Sequence, residues 1–171
     1  IRWIALTMVL TGIYYQIIIQ LWQPVILDTV DEKYQNQPFF YGLTFLIVML
    51  AQSLGGHLIH KKINTNLFLV GLFATSYTTV WVAHDGVPEI IFFSLICVFM
   101  AIQMLSLDQS AKLHARVDNT LRSTIDSIFS VTIKLCLTLC FPVTTWIFEY
   151  YQTVGLFTFL FSITLVIAMI I

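Results

Sequence analysis

Apolar residues along this chain come in long runs, and polar residues either gather between the runs or recur within them at helical spacing. Six runs cover residues 3–27, 39–59, 67–82, 90–107, 125–148 and 154–171. A helix that crosses a bilayer needs roughly 20 predominantly apolar residues, so each run predicts one span. Barrel strands would be about ten residues long and would alternate in polarity, a pattern these runs lack. Runs of this length satisfy their backbone in hydrocarbon only as helices. The pattern predicts an all-α integral membrane protein, a six-transmembrane-helix bundle forming one domain over residues 1–171.

The polar positions inside the runs are the informative ones. In the fifth run Asp126, Ser130, Lys134 and Thr138 follow at steps of four, with Ser127 and Thr145 near the same face, so an otherwise apolar cylinder carries a polar stripe. Lys134 lies roughly 18 Å from Arg122 and roughly 22 Å from Glu149 along a helix axis, too deep to snorkel easily. A charge at such depth marks a substrate or ion pathway by default; a structural ion pair with Asp126 is the competing reading. The first run repeats the pattern with Gln16, Gln20 and Gln23, beside Gly12, Trp22 and Pro24. Pro24 removes a backbone donor, so a kink or break is expected near that end. Gln52 and Gln103 are isolated amides, and membrane glutamines often bond only helix to helix. Gly71, Thr75 and Thr79, and Gly155, Thr158 and Ser162, are small residues at helical spacing that suit close packing.

Composition agrees with the pattern: 58% of residues are hydrophobic and 10% charged, with a mean hydropathy of +0.89. Six of the eight basic residues, Arg2, Lys61, Lys62, Lys112, Arg116 and Arg122, fall before the first run or in the second and fourth connections. The other connections are acidic, so the positive-inside rule places both termini in the cytoplasm. The expected location is the cell membrane, with multiple spans. No basic cluster suits nucleic acid. Cys97, Cys136 and Cys140 fall inside the runs and read as small apolar fillers. His57 and His60 lack a third ligand and adjoin Lys61 and Lys62, so no metal or other cofactor is expected. No serine or histidine set at depth suggests an enzyme. A channel would show charge rings or glycine-rich carbonyl loops, and neither is present. A non-catalytic scaffold or channel subunit remains the alternative to a carrier. The chain begins at Ile1 and ends in "VIAMII" without a polar flank, so it reads as a piece of a longer protein.

"GHLIHKK", residues 56–62, carries the glycine, leucine and first basic residue, at Gly56, Leu58 and Lys61, of a loop motif between transporter helices. "LRSTIDSI" carries Arg122 and Thr124, and "YYQIIIQLWQP" is an amide-bearing helix next to a proline. With these residues the whole chain resembles the C-terminal six-helix half of a major facilitator superfamily transporter, its runs corresponding to helices seven to twelve. His60 stands where the motif usually has aspartate, and the second glycine and following basic pair are missing. The resemblance implies a secondary transporter that moves a small organic solute by alternating access, coupled to a proton or another ion, with an N-terminal half and the lipid bilayer as partners. Spans one and four would line the cavity, spans two and five the seam between halves, and spans three and six would face lipid. Gln16, Gln20, Gln23, Trp22, Gln103 and Lys134 are the expected substrate-binding residues; Lys134, Asp126, Arg122 and Lys61 are those expected in coupling or gating.

Overall fold

The structure, a computed structural model, describes residues 2–29, 38–60, 71 and 88–170. The described residues form α1 (Arg2–Thr29), α2 (Pro38–His60), α3 (Pro88–His114), a 3₁₀ turn (Asn119–Leu121) and α4 (Arg122–Ile170). The molecule is all-helical over these residues, and four helices are long and apolar enough to cross a membrane. Six runs were expected. The third, 67–82, lies outside the described residues apart from Gly71, and α4 holds the last two.

At 49 residues, α4 would extend about 74 Å if straight, more than twice the roughly 30 Å of a hydrocarbon core. It is not straight. Gln152 sits at φ 52° and ψ −148°, next to a region that only glycine populates freely, and divides α4 into arms of residues 122–151 and 153–170. The expected boundary between the last two runs falls on this break. Such a conformation stores roughly 1–3 kcal/mol in a non-glycine residue. Gln152→Gly is therefore expected to raise stability by about 1 kcal/mol after its larger unfolded-state entropy is counted, seen as a higher melting temperature in detergent; a lower one would refute strain at this position.

Pro24 was expected to kink or break α1, and no break is seen. The helix instead continues through it to Thr29, because a missing N–H removes one hydrogen bond from a helix that neighbours hold on both sides. Pro142 is likewise inside α4.

The core is built from facing stripes. Tyr14, Ile17, Ile18, Leu21 and Val25 of α1 bury against Val98, Phe99 and Ile102 of α3 and against Leu156, Phe157 and Leu160 of the second arm of α4. Lipid tails are as apolar as these side chains, so close packing, more than the hydrophobic effect, holds such helices together. Gly55 shows how close: a Cβ there would lie 2.7 Å from the Met100 carbonyl oxygen, so α2 and α3 touch backbone to backbone. Away from the core, Ile128, Val131, Leu135, Leu139 and Val143 form an exposed ridge on the first arm of α4, a surface suited to hydrocarbon. Several hydroxyls within these helices are satisfied locally: Thr11 Oγ1 donates to the Thr7 carbonyl at 2.7 Å, Thr44 to Phe40 at 2.9 Å and Thr164 to Leu160 at 3.0 Å.

Candidate functional site: a polar groove between α1 and α4

Where α1 crosses the first arm of α4, Gly12 lies so near Ile133 that a Cβ could not be accommodated without a shift of that side chain. Longer side chains on either side of this contact hold the helices apart and leave two hollows. One, about 260 Å³, is lined by Met8, Gln16, Asp126, Phe129, Ser130, Ile133 and Lys134. The other, about 280 Å³, is lined by Gln20, Leu137, Thr138 and Phe141. The step of four that joins Gln16 to Gln20 and the step of four that runs from Asp126 to Thr138 thus end on one groove. Each stripe faces the other, which is how both can be polar within apolar helices.

Within the groove Lys134 is exposed and makes no ion pair among the described residues. The alternative pair with Asp126 does not form. Eight residues along a helix are about 12 Å, and the Asp126 carboxylate is engaged elsewhere: its Oδ1 lies 2.8 Å from Nε2 of His114. Thr138 donates its hydroxyl to the Lys134 carbonyl at 2.9 Å and lines the second hollow. Pro24 and Pro142 lack the N–H groups that would otherwise bond the carbonyls of Gln20 and Thr138, both of which belong to residues lining that hollow.

Arg122 is not in the groove. Its Nη2 donates to the His114 carbonyl at 3.0 Å, so the guanidinium closes the C-terminal end of α3, where a cation is favoured by the helix dipole. With the His114–Asp126 contact it fastens α3 to the start of α4. Arg122→Ala is expected to destabilise the protein by about 1–2 kcal/mol, the size of a lost hydrogen bond to a charged donor, as measured by thermal unfolding; an unchanged melting temperature would show that the fastening is idle.

The remaining expected site residues scatter. Trp22 is 6% exposed and belongs to the core, its ring 6.5 Å from that of Phe45, so it is a packing residue in this arrangement. Gln23 is exposed, and Gln103, on α3, is half-buried and lines neither hollow. Gln52 donates to the Tyr15 hydroxyl at 3.5 Å, a tie between α2 and α1. Lys61 lies outside the described residues, as does the side chain of His60; His57 is exposed. Among the described residues no group of three potential metal ligands comes together. The resemblance implied a cavity between spans one and four; the groove described here joins the first and fifth. Spacing gave no hint of His114 as the partner of Asp126, or of the aromatic walls Phe129 and Phe141.

No protein-family model, curated protein or solved structure matches this chain.

The groove makes a prediction of its own. Thr138 and Leu139 are both exposed, but the first lines a hollow and the second, 77% exposed, sits on the apolar ridge. In a cysteine-free background of the full-length protein, Thr138→Cys should react with a water-soluble maleimide at least about tenfold faster than Leu139→Cys, because lipid keeps a thiol protonated and unreactive. Equal rates would mean that the groove is not wet.

Proposed function

We propose that this chain is the C-terminal six-helix half of a secondary active transporter of the major facilitator type, a cell-membrane carrier for a small organic solute with both termini in the cytoplasm. The observation that carries this reading is Lys134, an ammonium without a countercharge among the described residues, facing Gln16 across a hollow of about 260 Å³. A charge kept at that depth without a structural partner is available to a ligand or to a carboxylate that approaches from elsewhere. The neighbouring amides and hydroxyls offer donors and acceptors for a polar solute, and Phe129 and Phe141 offer flat apolar walls.

In this reading the N-terminal half packs over the open side of the groove between α1 and the first α4 arm and closes it into a central cavity. Solute binds between the halves, its anionic or polar group drawn to Lys134 and its other groups bonded by Gln16 and Gln20. Rocking of one half on the other then exposes the cavity to alternate sides. Asp126, at the far end of the same hollow and tied to His114, links the state of the groove to the end of α3 and is the residue best placed to feel a coupling proton.

The test is transport by the full-length protein in proteoliposomes, with an imposed proton gradient and a panel of organic anions, sugars and nucleosides. Gradient-dependent accumulation of at least one solute, saturable and lost with Lys134→Ala, supports the carrier. Accumulation that ignores every substitution at Gln16, Gln20 and Lys134 overturns the assignment of the groove.

A further inference from the structure

A second cavity, on the opposite side of α1, has a different chemistry. It measures about 400 Å³ and is lined by Trp3, Ile4 and Thr7 of α1, by Leu105, Asp108, Gln109 and Lys112 of α3, by Arg116 of the turn that follows, and by Ile170. The start of α1, the end of α3 and the end of α4 therefore meet at one end of the bundle.

Gln109 is the anomaly. It is 3% exposed, yet neither its amide nitrogen nor its amide oxygen has a hydrogen-bond partner among the described residues. A buried, unbonded amide is unfavourable, and one that lines a cavity is satisfied by whatever fills it. The rim supplies the sign of that occupant. Asp108 is neutralised by Lys112, with Nζ to Oδ2 at 2.6 Å, which leaves Arg116 as an unmatched cation among the described residues. The Thr7 hydroxyl is already turned to its own backbone, bonding the Trp3 carbonyl at 3.1 Å and the Ile4 carbonyl at 3.0 Å. The remaining walls, Ile4, Leu105 and Ile170, are apolar, and Trp3 stands 67% exposed beside them, as aromatic residues do at a headgroup boundary.

We propose that this cavity binds the phosphate of an anionic phospholipid. Arg116 holds the phosphate oxygens, the Gln109 amide donates to them, and the glycerol stem leaves along Ile4, Leu105 and Ile170 beside the Trp3 ring. Basic pockets between transmembrane helices take anionic headgroups in this way. A soluble phosphate would gain nothing from the apolar walls. The site does not rest on the carrier reading, since it shares no residue with the groove.

The experiment measures lipid binding to the purified full-length protein by native mass spectrometry, with phosphatidylglycerol, phosphatidylcholine and inorganic phosphate as ligands. The expected result is at least a tenfold preference for phosphatidylglycerol over phosphatidylcholine, reduced fivefold or more by Arg116→Gln and by Gln109→Met. Gln109→Met nearly conserves volume and removes the unbonded amide, so the lipid-free variant should melt no lower than the parent while it binds lipid more weakly. A residue that only supported the fold would lower both. Equal binding of the two lipids, unchanged affinity in both variants, or displacement of phosphatidylglycerol by equimolar inorganic phosphate would each overturn the proposal.

Discussion

Lys134→Ala in the full-length protein is expected to reduce solute uptake by about 10–100-fold, the equivalent of one charge-assisted hydrogen bond worth roughly 1.5–3 kcal/mol. The same substitution should leave the protein folded, with a melting temperature unchanged or raised. Two features of the site set these opposite signs. The ammonium has no protein partner to lose among the described residues, so its removal orphans no buried carboxylate. Alanine is also the strongest helix former, and it replaces a charge that is unfavourable at membrane depth. Lys134→Arg keeps the charge but exchanges a compact ammonium for a planar fork, so it should retain binding with an altered KM while Lys134→Gln loses both. Uptake kinetics and thermal unfolding on the same preparations decide the matter. Uptake within twofold of the parent for Lys134→Ala would remove the ammonium from the transport path.

The sequence was most legible where a single period carried one message. Hydrophobic runs gave the helical class and marked the break at Gln152, because the cost of exposing backbone in hydrocarbon leaves little choice of structure. The stripe from Asp126 to Thr138 and the pair Gln16 and Gln20 were legible for the same reason: a period of four places residues on one face whatever surrounds the helix. The facing of those two stripes was not legible, since it depends on which helices adjoin, and that is set by tertiary contacts such as Gly12 against Ile133. Trp22 shows the limit most clearly. It lies beside Gln23 and two residues after Gln20, and proximity in sequence suggested a shared role, yet a two-residue step turns a side chain about 200° around the helix. Gln20 therefore faces α4 while Trp22 enters the core. His114 could not be matched with Asp126 from sequence, because the intervening turn and 3₁₀ segment decide the approach of the two helices. Gln109, one residue beyond Asp108, reads as an ordinary polar residue near a helix end; only the packing of α1 and the second arm of α4 against α3 makes it buried.

The difference between Trp22 and Gln20 is itself a strong test, because the two residues share a helix turn and are expected to fail in different ways. Trp22→Ala removes a ring that is 6% exposed, belongs to the core cluster and lies against Phe45 of α2. Large-to-small changes of an aromatic core residue cost about 3–5 kcal/mol, and the lost contacts are dispersion contacts that lipid cannot restore from outside the bundle. The expected outcome is a melting temperature many degrees lower and poor yield of folded protein, with the KM of any surviving fraction near that of the parent. Gln20→Ala removes an exposed amide over a hollow, so the fold should survive within about 0.5 kcal/mol while KM rises about fivefold, as for one neutral hydrogen bond to solute. Trp22→Phe should recover most of the stability, since it restores the aromatic volume without the indole nitrogen. If Trp22→Ala instead unfolds normally and raises KM, the ring must reach solute, and the packing of α1 against α2 differs from the one described. If Gln20→Ala lowers the melting temperature as far as Trp22→Ala does, the amide is a tie between helices and the second hollow is no part of the path.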